Sequence, residues 1–122
     1  MKLWPGVITE KVIESRDFYC RVFGARVIYE GEGGWFVLLQ IGGAELGFML
    51  PDLESQAPLF RPAFQGRGVW FAIEVDDVDA EHQRIQALGV PLAVDLRDEP
   101  WGDRHFALVD PNGVSVDVVQ RR

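Results

Sequence analysis

The sequence predicts an α+β protein made of two tandem βαβββ units. Residues 67–122 repeat the element order of residues 1–50, namely a strand, a helix that ends at a glycine, and three further strands. The matching landmarks are Trp4 and Trp70, Gly24 and Gly89, Ala25 and Val90, and Gly43 and Gly113, which lie 66, 65, 65 and 70 residues apart. A nearly constant offset with small insertions is what a duplicated unit leaves in a sequence. We predict a first repeat over about 1–50, a connection over 51–66 and a second repeat over about 67–122, all in one domain.

Composition places the chain among folded proteins. Its 122 residues are 48% hydrophobic and carry a formal net charge of −7. That charge repels phosphate backbones and no run of Lys or Arg offsets it, so we expect no nucleic-acid partner. A neutral or cationic small molecule suits the charge better, although an acidic surface is also an ordinary means of staying in solution.

Cysteine usage and hydropathy favour the cytoplasm. Cys20 is the single cysteine, so no internal disulfide forms, and its place in the first helix pattern indicates a packed thiol. The opening MKLWPGVITEK has no apolar run of signal-peptide length, and about 18 consecutive apolar residues occur nowhere. We therefore expect no membrane partner.

The first unit has the pattern of a strand, a helix and three more strands. LWPGVIT predicts a short strand, which Pro5 keeps at a sheet edge or a bulge because proline cannot donate to a ladder. Residues 11–23 place apolar side chains on one helical stripe, and Gly24 caps it. ARVIYE, GWFVLLQI and AELGFML predict the three strands, with turns at GEGG and at the glycine pair 42–43.

The connection over 51–66 contains three prolines and no steady period, as a long loop does. It is too apolar for a free linker. We expect Leu59, Phe60 and Phe64 to pack over the sheet mouth or on a neighbouring subunit, because exposed aromatic side chains favour aggregation.

The second unit repeats the pattern of the first. GVWFAIEV predicts a strand with Trp70 and Glu74 on the same face. A helix is predicted from about Val78, with Asp76 or Asp77 as its N-cap. PLAVDL, DRHFALVD and VSVDVVQ predict the remaining strands, and an Asn-Gly turn joins the last two.

With these elements in place, the chain resembles the vicinal oxygen chelate superfamily of glyoxalases, extradiol dioxygenases, and fosfomycin- and bleomycin-resistance proteins. The resemblance covers nearly the whole chain. It is carried by SRDFYCRVFG, IEVDDVDAEHQRIQALGV and EPWGDRHFALVDPNG, the last being most similar to the bleomycin-resistance branch. It implies two βαβββ units whose curved mixed sheets wrap around a cleft, the glyoxalase/bleomycin resistance fold. It also implies a homodimer in which both chains contribute to each site.

This sequence departs from the superfamily at the metal ligands that the resemblance implies. Enzymes of the superfamily bind a divalent ion through His and Glu near the start of each first strand and in each last strand. Those positions here are Trp4, Gly47, Trp70 and Asp117. A catalytic ion needs roughly three protein ligands, and only Asp117 can supply one. We therefore expect neither a metal nor another cofactor.

Tryptophans stand at the positions of two of these ligands. Indoles provide flat apolar walls with one hydrogen-bond donor and attract cations to their faces. Trp101 lies in the PWG turn, whereas Trp35 is expected to pack in the core. Nearby carboxylates would orient a planar or cationic ligand, unless each lies at a solvated strand edge or in a salt bridge. The predicted ligand-binding residues are Trp4, Trp70, Trp101, Gly47, Met49, Glu45, Glu74, His105 and Asp117.

No catalytic residue is assigned. His82 lies on the helical stripe and is expected to be a partly buried helix residue with one satisfied nitrogen. His105 is expected at the surface or in a strand pair, with the cleft as the alternative. Neither histidine accompanies a Ser or Cys in a nucleophile pattern, so covalent hydrolysis has no support.

The first functional hypothesis is metal-independent sequestration of an aromatic small molecule such as a bleomycin-type antibiotic, which requires no catalytic group. The alternative is a metal-dependent lyase, isomerase or dioxygenase acting on a small oxygenated substrate. That alternative needs a nonstandard metal site, for which Glu45, Glu74 and Asp117 are the candidates if the strand register differs from the prediction. A duplicated scaffold with no small-molecule role is the third hypothesis.

Overall fold

The chain folds as two units with the same order of elements. The computed structural model describes residues 1–122. The first unit is Met1–Gln65 and the second is Gly66–Arg122. Each unit places one helix on one four-stranded sheet, which confirms the predicted α+β pair of βαβββ units. The segment predicted as a connection over 51–66 folds with the first unit, apart from its last residue.

The strands of the two units pair in the same way. The first unit contains β1 (Gly6–Ile8), α1 (Val12–Phe23), β2 (Arg26–Glu30), β3 (Phe36–Ile41) and β4 (Ala44–Met49). The second contains β5 (Trp70–Glu74), α2 (Val78–Ala87), β6 (Val94–Asp98), β7 (Arg104–Val109) and β8 (Ser115–Gln120). The sheet orders are β1-β4-β3-β2 and β5-β8-β7-β6. The pairs β1–β4 and β5–β8 are parallel, and all other neighbouring strands are antiparallel.

Helix α1 follows the predicted apolar stripe. Val12, Tyr19 and Val22 are buried, and Tyr19 packs on Phe48 of β4 with ring centroids 5.5 Å apart. Gly24 ends the helix with φ 65°, a left-handed conformation that glycine adopts without a Cβ penalty. The apolar spacing therefore fixes which face of α1 meets its sheet.

Helix α2 begins at one of the two predicted N-caps. Asp77 accepts a hydrogen bond from the Ala80 N–H at 3.1 Å, which satisfies a donor that has no intrahelical partner. Val78 and Ile85 are the buried residues of this helix. Gly89 follows the last turn with φ 79°.

Alternation along the strands gives each sheet a helix-facing side and an opposite side, which we call the open face. Val37 and Leu39 of β3, with Leu46 and Phe48 of β4, are buried toward α1. The residues between them lie on the open face, because successive side chains point to opposite sides of a strand. In the second unit Phe106, Val116 and Val118 take the buried positions. The open faces carry most of the predicted ligand-binding residues.

Two strand predictions are corrected. LWPGVIT was too long for β1, which begins at Gly6 because Pro5 lacks an N–H; its carbonyl still accepts from the Gly47 N–H at 2.9 Å. The strand predicted over PLAVDL, residues 91–96, was placed too early, since β6 runs over Val94–Asp98. The first hydrogen bond to β7 comes from the Ala93 N–H, which donates to the Ala107 carbonyl. β1 does lie at the edge of its sheet, as Pro5 predicts.

The predicted Asn-Gly turn between β7 and β8 is held by a buried carboxylate. Oδ1 of Asp110 accepts from the N–H groups of Asn112 and Val114 at 2.8 and 2.9 Å. Asp110 is only 4% exposed, and its own N–H donates to the Val114 carbonyl at 2.9 Å. The turn fixes the register of β8, whose open face carries Asp117.

Segment 51–66 contains a short 3-10 helix over Pro58–Phe60. The Phe64 N–H donates to the Ile8 carbonyl at 2.9 Å. Leu59 is 80% exposed and Phe60 is 50% exposed, so neither side chain is buried in the core of the first unit. Their packing on a neighbouring subunit stays a prediction. Neither α1 nor α2 has the length and apolar character of a membrane-spanning helix.

Candidate ligand-binding site

The open face of the first unit has an aromatic centre. Gly47 of β4 lies between Gly6 of β1 and Leu38 of β3 in the strand register. The indole of Trp4 lies over Gly47, because an added Cβ would stand 3.0 Å from Cζ3 of Trp4 and 3.3 Å from Cε2 of Phe36. Trp4 and Phe36 meet edge to face with centroids 6.3 Å apart. The missing side chain of Gly47 thus makes the seat for the Trp4 ring.

The other two predicted residues of β4 flank this seat. Glu45 forms a salt bridge with Lys2, with Oε2 and Nζ 2.5 Å apart. Met49 is half-buried and pairs with Ile8 and Phe36 in the register. Glu45 is therefore not a free carboxylate in this structure.

The open face of the second unit has a polar centre. Trp70, Ala72 and Glu74 of β5 are exposed, and Asp117 of β8 lies in register between Ala72 and Ala107. The predicted alternation of β5 is confirmed. Glu74 pairs with Arg121 at 2.6 Å between Oε1 and Nε. Short alanine side chains on both sides leave the Asp117 carboxylate as the main polar group of this row.

Matching hydrogen bonds define which residues of the two units are equivalent. The Thr9 N–H donates to the Met49 carbonyl at 2.8 Å, and the Val75 N–H donates to the Val119 carbonyl at 2.9 Å. Counting along the strands from these bonds makes three pairs equivalent. They are Trp4 and Trp70, Gly47 and Asp117, and Phe36 and His105. The aromatic seat of the first unit is thus replaced by a carboxylate and an imidazole in the second.

His105 joins two carboxylates into what we call the histidine cluster. Its Nδ1 lies 2.6 Å from Oδ1 of Asp117, and its Nε2 lies 2.8 Å from Oε2 of Glu99. The side chains are 16% exposed for His105, 26% for Asp117 and 11% for Glu99. Burial by itself lowers the pKa of His105, but the hydrogen bonds and charges of Glu99 and Asp117 outweigh burial, so this pKa lies above its ordinary value. When the ring is protonated, it can donate from both nitrogens, one to each carboxylate.

Glu99 is the residue that sequence reasoning missed. It lies in the turn before β7, where no strand or helix period marks it, and its carbonyl accepts from the Gly102 N–H at 3.0 Å. Its other carboxylate oxygen pairs with Arg97 at 3.1 Å. The available signal was its place at the head of EPWGDRH, six residues before His105.

The same turn presents Trp101, whose side chain is 69% exposed. Its Nε1–H donates to Oδ2 of Asp103 at 3.0 Å, which fixes the orientation of the indole. Because the donor is used within the turn, the flat faces of Trp101 are what remains for a ligand.

Three other residues, Trp35, His82 and Cys20, are half-buried within their own units, as expected for His82, whereas Trp35 lies outside the buried core. The indole of Trp35 packs against the backbone of Gly31, where an added Cβ would collide with the indole nitrogen. His82 is partly buried, with Nε2 3.0 Å from Oδ1 of Asp95 and its ring edge on Phe106. Burial raises the pKa of the Cys20 thiol, which makes it a poor nucleophile.

Sequence comparison assigns the family. The profile of the Glyoxalase/Bleomycin resistance protein/Dioxygenase superfamily matches residues 4–118. The chain belongs to this superfamily. A relative, the bleomycin resistance protein of Geobacillus stearothermophilus, is 23% identical over 126 residues, which cover 96% of this chain and 94% of the relative.

Solved structures of the superfamily share the glyoxalase fold with this chain. TnmS3, an antibiotic binding protein from Streptomyces sp. CB03234, has a TM-score of 0.73 and 25% identity, covering 100% of this chain and 96% of that one. Lactoylglutathione lyase from Agrobacterium tumefaciens has a TM-score of 0.80 and 26% identity, covering 98% and 92%. Since members named for antibiotic binding and for a lyase both share the fold, the side chains of the site must discriminate between them.

The residues of this chain do not fit the divalent ion of the superfamily's enzymes. Of the four positions at which the family resemblance implies metal ligands, two carry indoles, Gly47 has no side chain, and Asp117 is hydrogen-bonded to His105. No group of three or more His, Cys, Asp or Glu side chains is placed to hold an ion. Glu45 and Glu74 of the nonstandard candidate set each pair with a basic side chain, Lys2 and Arg121 respectively, so whether these two residues and Asp117 could hold an ion stays a prediction.

Proposed function

We propose that this protein binds a planar aromatic small molecule, including cationic molecules of the bleomycin type, without a metal ion. The observation that carries the proposal is the donor set at the four metal-ligand positions. It consists of two indoles, one glycine covered by an indole, and one carboxylate hydrogen-bonded to a histidine. Such groups stack on and orient a ligand, whereas they cannot complete the coordination of a divalent ion.

Stacking is the main source of affinity in this proposal. Trp70 and Trp101 are largely exposed, and Trp4 is 43% exposed above Gly47. The Trp4 ring contacts Gly47 and Phe36 and the Trp101 indole donates to Asp103, so these two rings offer flat surfaces at a low entropy cost on binding. The relatives named for bleomycin resistance and antibiotic binding support a ligand of this class.

The acidic groups supply orientation and select for positive charge. Asp117 keeps its Oδ2 on the open face while Oδ1 accepts from His105. The net charge of −7 attracts cationic ligands over longer distances. Glu45 contributes only if the ligand displaces Lys2, and Glu74 only if it displaces Arg121.

The proposal includes a homodimer as the binding unit. The exposed apolar side chains of Leu59 and Phe60 support a contact with a second copy. Sedimentation equilibrium of the protein and of a Leu59→Asp variant tests this part. A monomeric wild-type protein at ligand-binding concentrations would remove the dimer from the proposal.

Tryptophan fluorescence of metal-stripped protein tests the binding function. We expect saturable quenching by copper-free bleomycin or by a flat cationic drug. Replacing Trp70 by Ala should weaken that ligand by about 1–3 kcal/mol, the usual contribution of one stacked aromatic. Trp35→Phe is the matched control, because Trp35 packs on Gly31, and it should leave the affinity unchanged. Equal affinity in Trp70→Ala would remove Trp70 from the site.

The likeness to lactoylglutathione lyase keeps a metalloenzyme as the competing function. The same titration therefore includes divalent ions. Stoichiometric binding of one ion, together with no response to any aromatic ligand, would contradict the proposal and direct the search to a small oxygenated substrate.

A further inference from the structure

The histidine cluster contains more ionisable groups than ligand stacking requires. Glu99, His105 and Asp117 are all largely withdrawn from water, although they lie on the open face or in the turn beside it. Holding three such groups together carries a desolvation cost, which their hydrogen bonds must offset. The equivalent place in the first unit holds the aromatic pair Trp4 and Phe36. We therefore ask what role the charged cluster has in the second unit.

The geometry of the cluster fixes one carboxylate oxygen and leaves another available. Both ring nitrogens of His105 are engaged, so the imidazole cannot rotate without breaking a hydrogen bond. The ring in turn holds Oδ1 of Asp117, which leaves Oδ2 to accept from a ligand. The neighbours of Asp117 across both strand pairs are Ala72 and Ala107, whose short side chains do not cover it.

We propose that Glu99 and His105 are positioning residues that hold the Asp117 carboxylate to accept hydrogen bonds from a protonated amine on the ligand. The inference rests on the proposed function and names the chemical group that its second unit selects. A charge-assisted hydrogen bond to a pre-oriented carboxylate gains affinity, because little side-chain freedom is lost on binding. Glu99 has its second oxygen on Arg97, so it acts through His105 and does not contact the ligand.

The same geometry disfavours a metal ion as the occupant. The two carboxylates meet opposite edges of the imidazole, at Nδ1 and at Nε2. An ion bound to either nitrogen would therefore reach only one carboxylate directly. Two protein ligands are fewer than a divalent site needs.

A matched pair of ligands tests the inference. One is a planar aromatic compound with a pendant primary amine, and the other carries a hydroxyl at the same position. We expect the wild-type protein to prefer the amine by about 10- to 100-fold, as one charged hydrogen bond gives. Asp117→Asn and His105→Phe should lose most of this preference while the hydroxyl compound binds within about twofold of wild type. His105→Phe places the side chain found at the equivalent position of the first unit.

Conservative variants separate positioning from general damage. Glu99→Ala should lose much of the preference, and Glu99→Gln should regain part of it because the amide oxygen still accepts from His105. Glu81→Gln is the control, since this carboxylate lies on α2 and pairs with Arg84. The unfolding midpoint of each variant is measured in parallel, so that only folded variants are compared.

The outcomes distinguish the inference from the proposed function. If the wild-type protein binds both compounds equally, the inference is wrong and the proposed function stands. If His105→Phe and Glu99→Ala keep the full preference that Asp117→Asn loses, positioning is wrong. If neither compound nor any other aromatic ligand binds, the proposed function is overturned and the inference falls with it.

Discussion

Replacing Gly47 by Ala tests the seat of Trp4 most directly. The new Cβ would lie 3.0 Å from the Trp4 ring and 3.3 Å from the Phe36 ring, whereas carbon atoms in contact prefer about 3.5–4.0 Å. The rings must therefore move by roughly 0.5 Å. Overpacking of this size costs about 1–3 kcal/mol. Because Trp4 is 43% exposed and can shift outward, we expect a loss of about 1 kcal/mol in the free energy of unfolding.

Urea denaturation measures this loss, and a double-mutant cycle assigns it. Gly43→Ala is the control, since its Cβ meets open space at an ordinary backbone angle and should be neutral. In a Trp4→Ala background the penalty of Gly47→Ala should largely disappear, because the nearer contact is gone. A penalty of the same size in both backgrounds, or a Gly47→Ala variant as stable as Gly43→Ala, would refute the stated contact.

Three further predictions concern buried and capping groups. Asp110→Ala leaves the N–H groups of Asn112 and Val114 without their carboxylate acceptor and should cost about 2–3 kcal/mol in the free energy of unfolding by urea. Asp77→Ala should cost about 1 kcal/mol as the loss of an N-cap; an unchanged midpoint would contradict the cap. The raised pKa of His105 means that its two carboxylate partners and the imidazolium stabilise the native state fully below about pH 6.5. The stability advantage of wild type over His105→Gln should therefore shrink as pH rises through that raised pKa, and an advantage that grows with pH would contradict it.

Most of the fold could be predicted because its signals are local. The spacing of Val12, Tyr19 and Val22 fixes the buried stripe of α1, and Gly24 fixes its end. The repeat offsets predicted two units of equal topology, which the strand orders confirm. Element ends were less accurate at β1 and β6, because they depend on which N–H groups find a partner strand.

The site was predictable only in part. The alternation of β5 places Trp70 on the open face, as the sequence predicts. Whether Trp70 contacts a ligand stays a prediction. Residue type left open whether Glu45 and Glu74 orient a ligand or lie in salt bridges, and the structure gives each a basic partner from a distant part of its own unit. These salt bridges join residues that are far apart in the sequence, so they depend on the strand pairing and cannot be read from a local pattern.

The sequence by itself determined the duplicated βαβββ order and the helix-facing stripes, because these depend on residue type and short-range spacing. Only the tertiary structure decided that Trp4 covers Gly47 and that His105 lies between Glu99 and Asp117. Trp4 precedes β1 and contacts β4, and Glu99 lies in a turn while His105 and Asp117 lie on β7 and β8. Predicting these contacts requires the strand register to be known. The reason is physical, since a one-residue shift in register would turn His105 away from Asp117 and toward the helix.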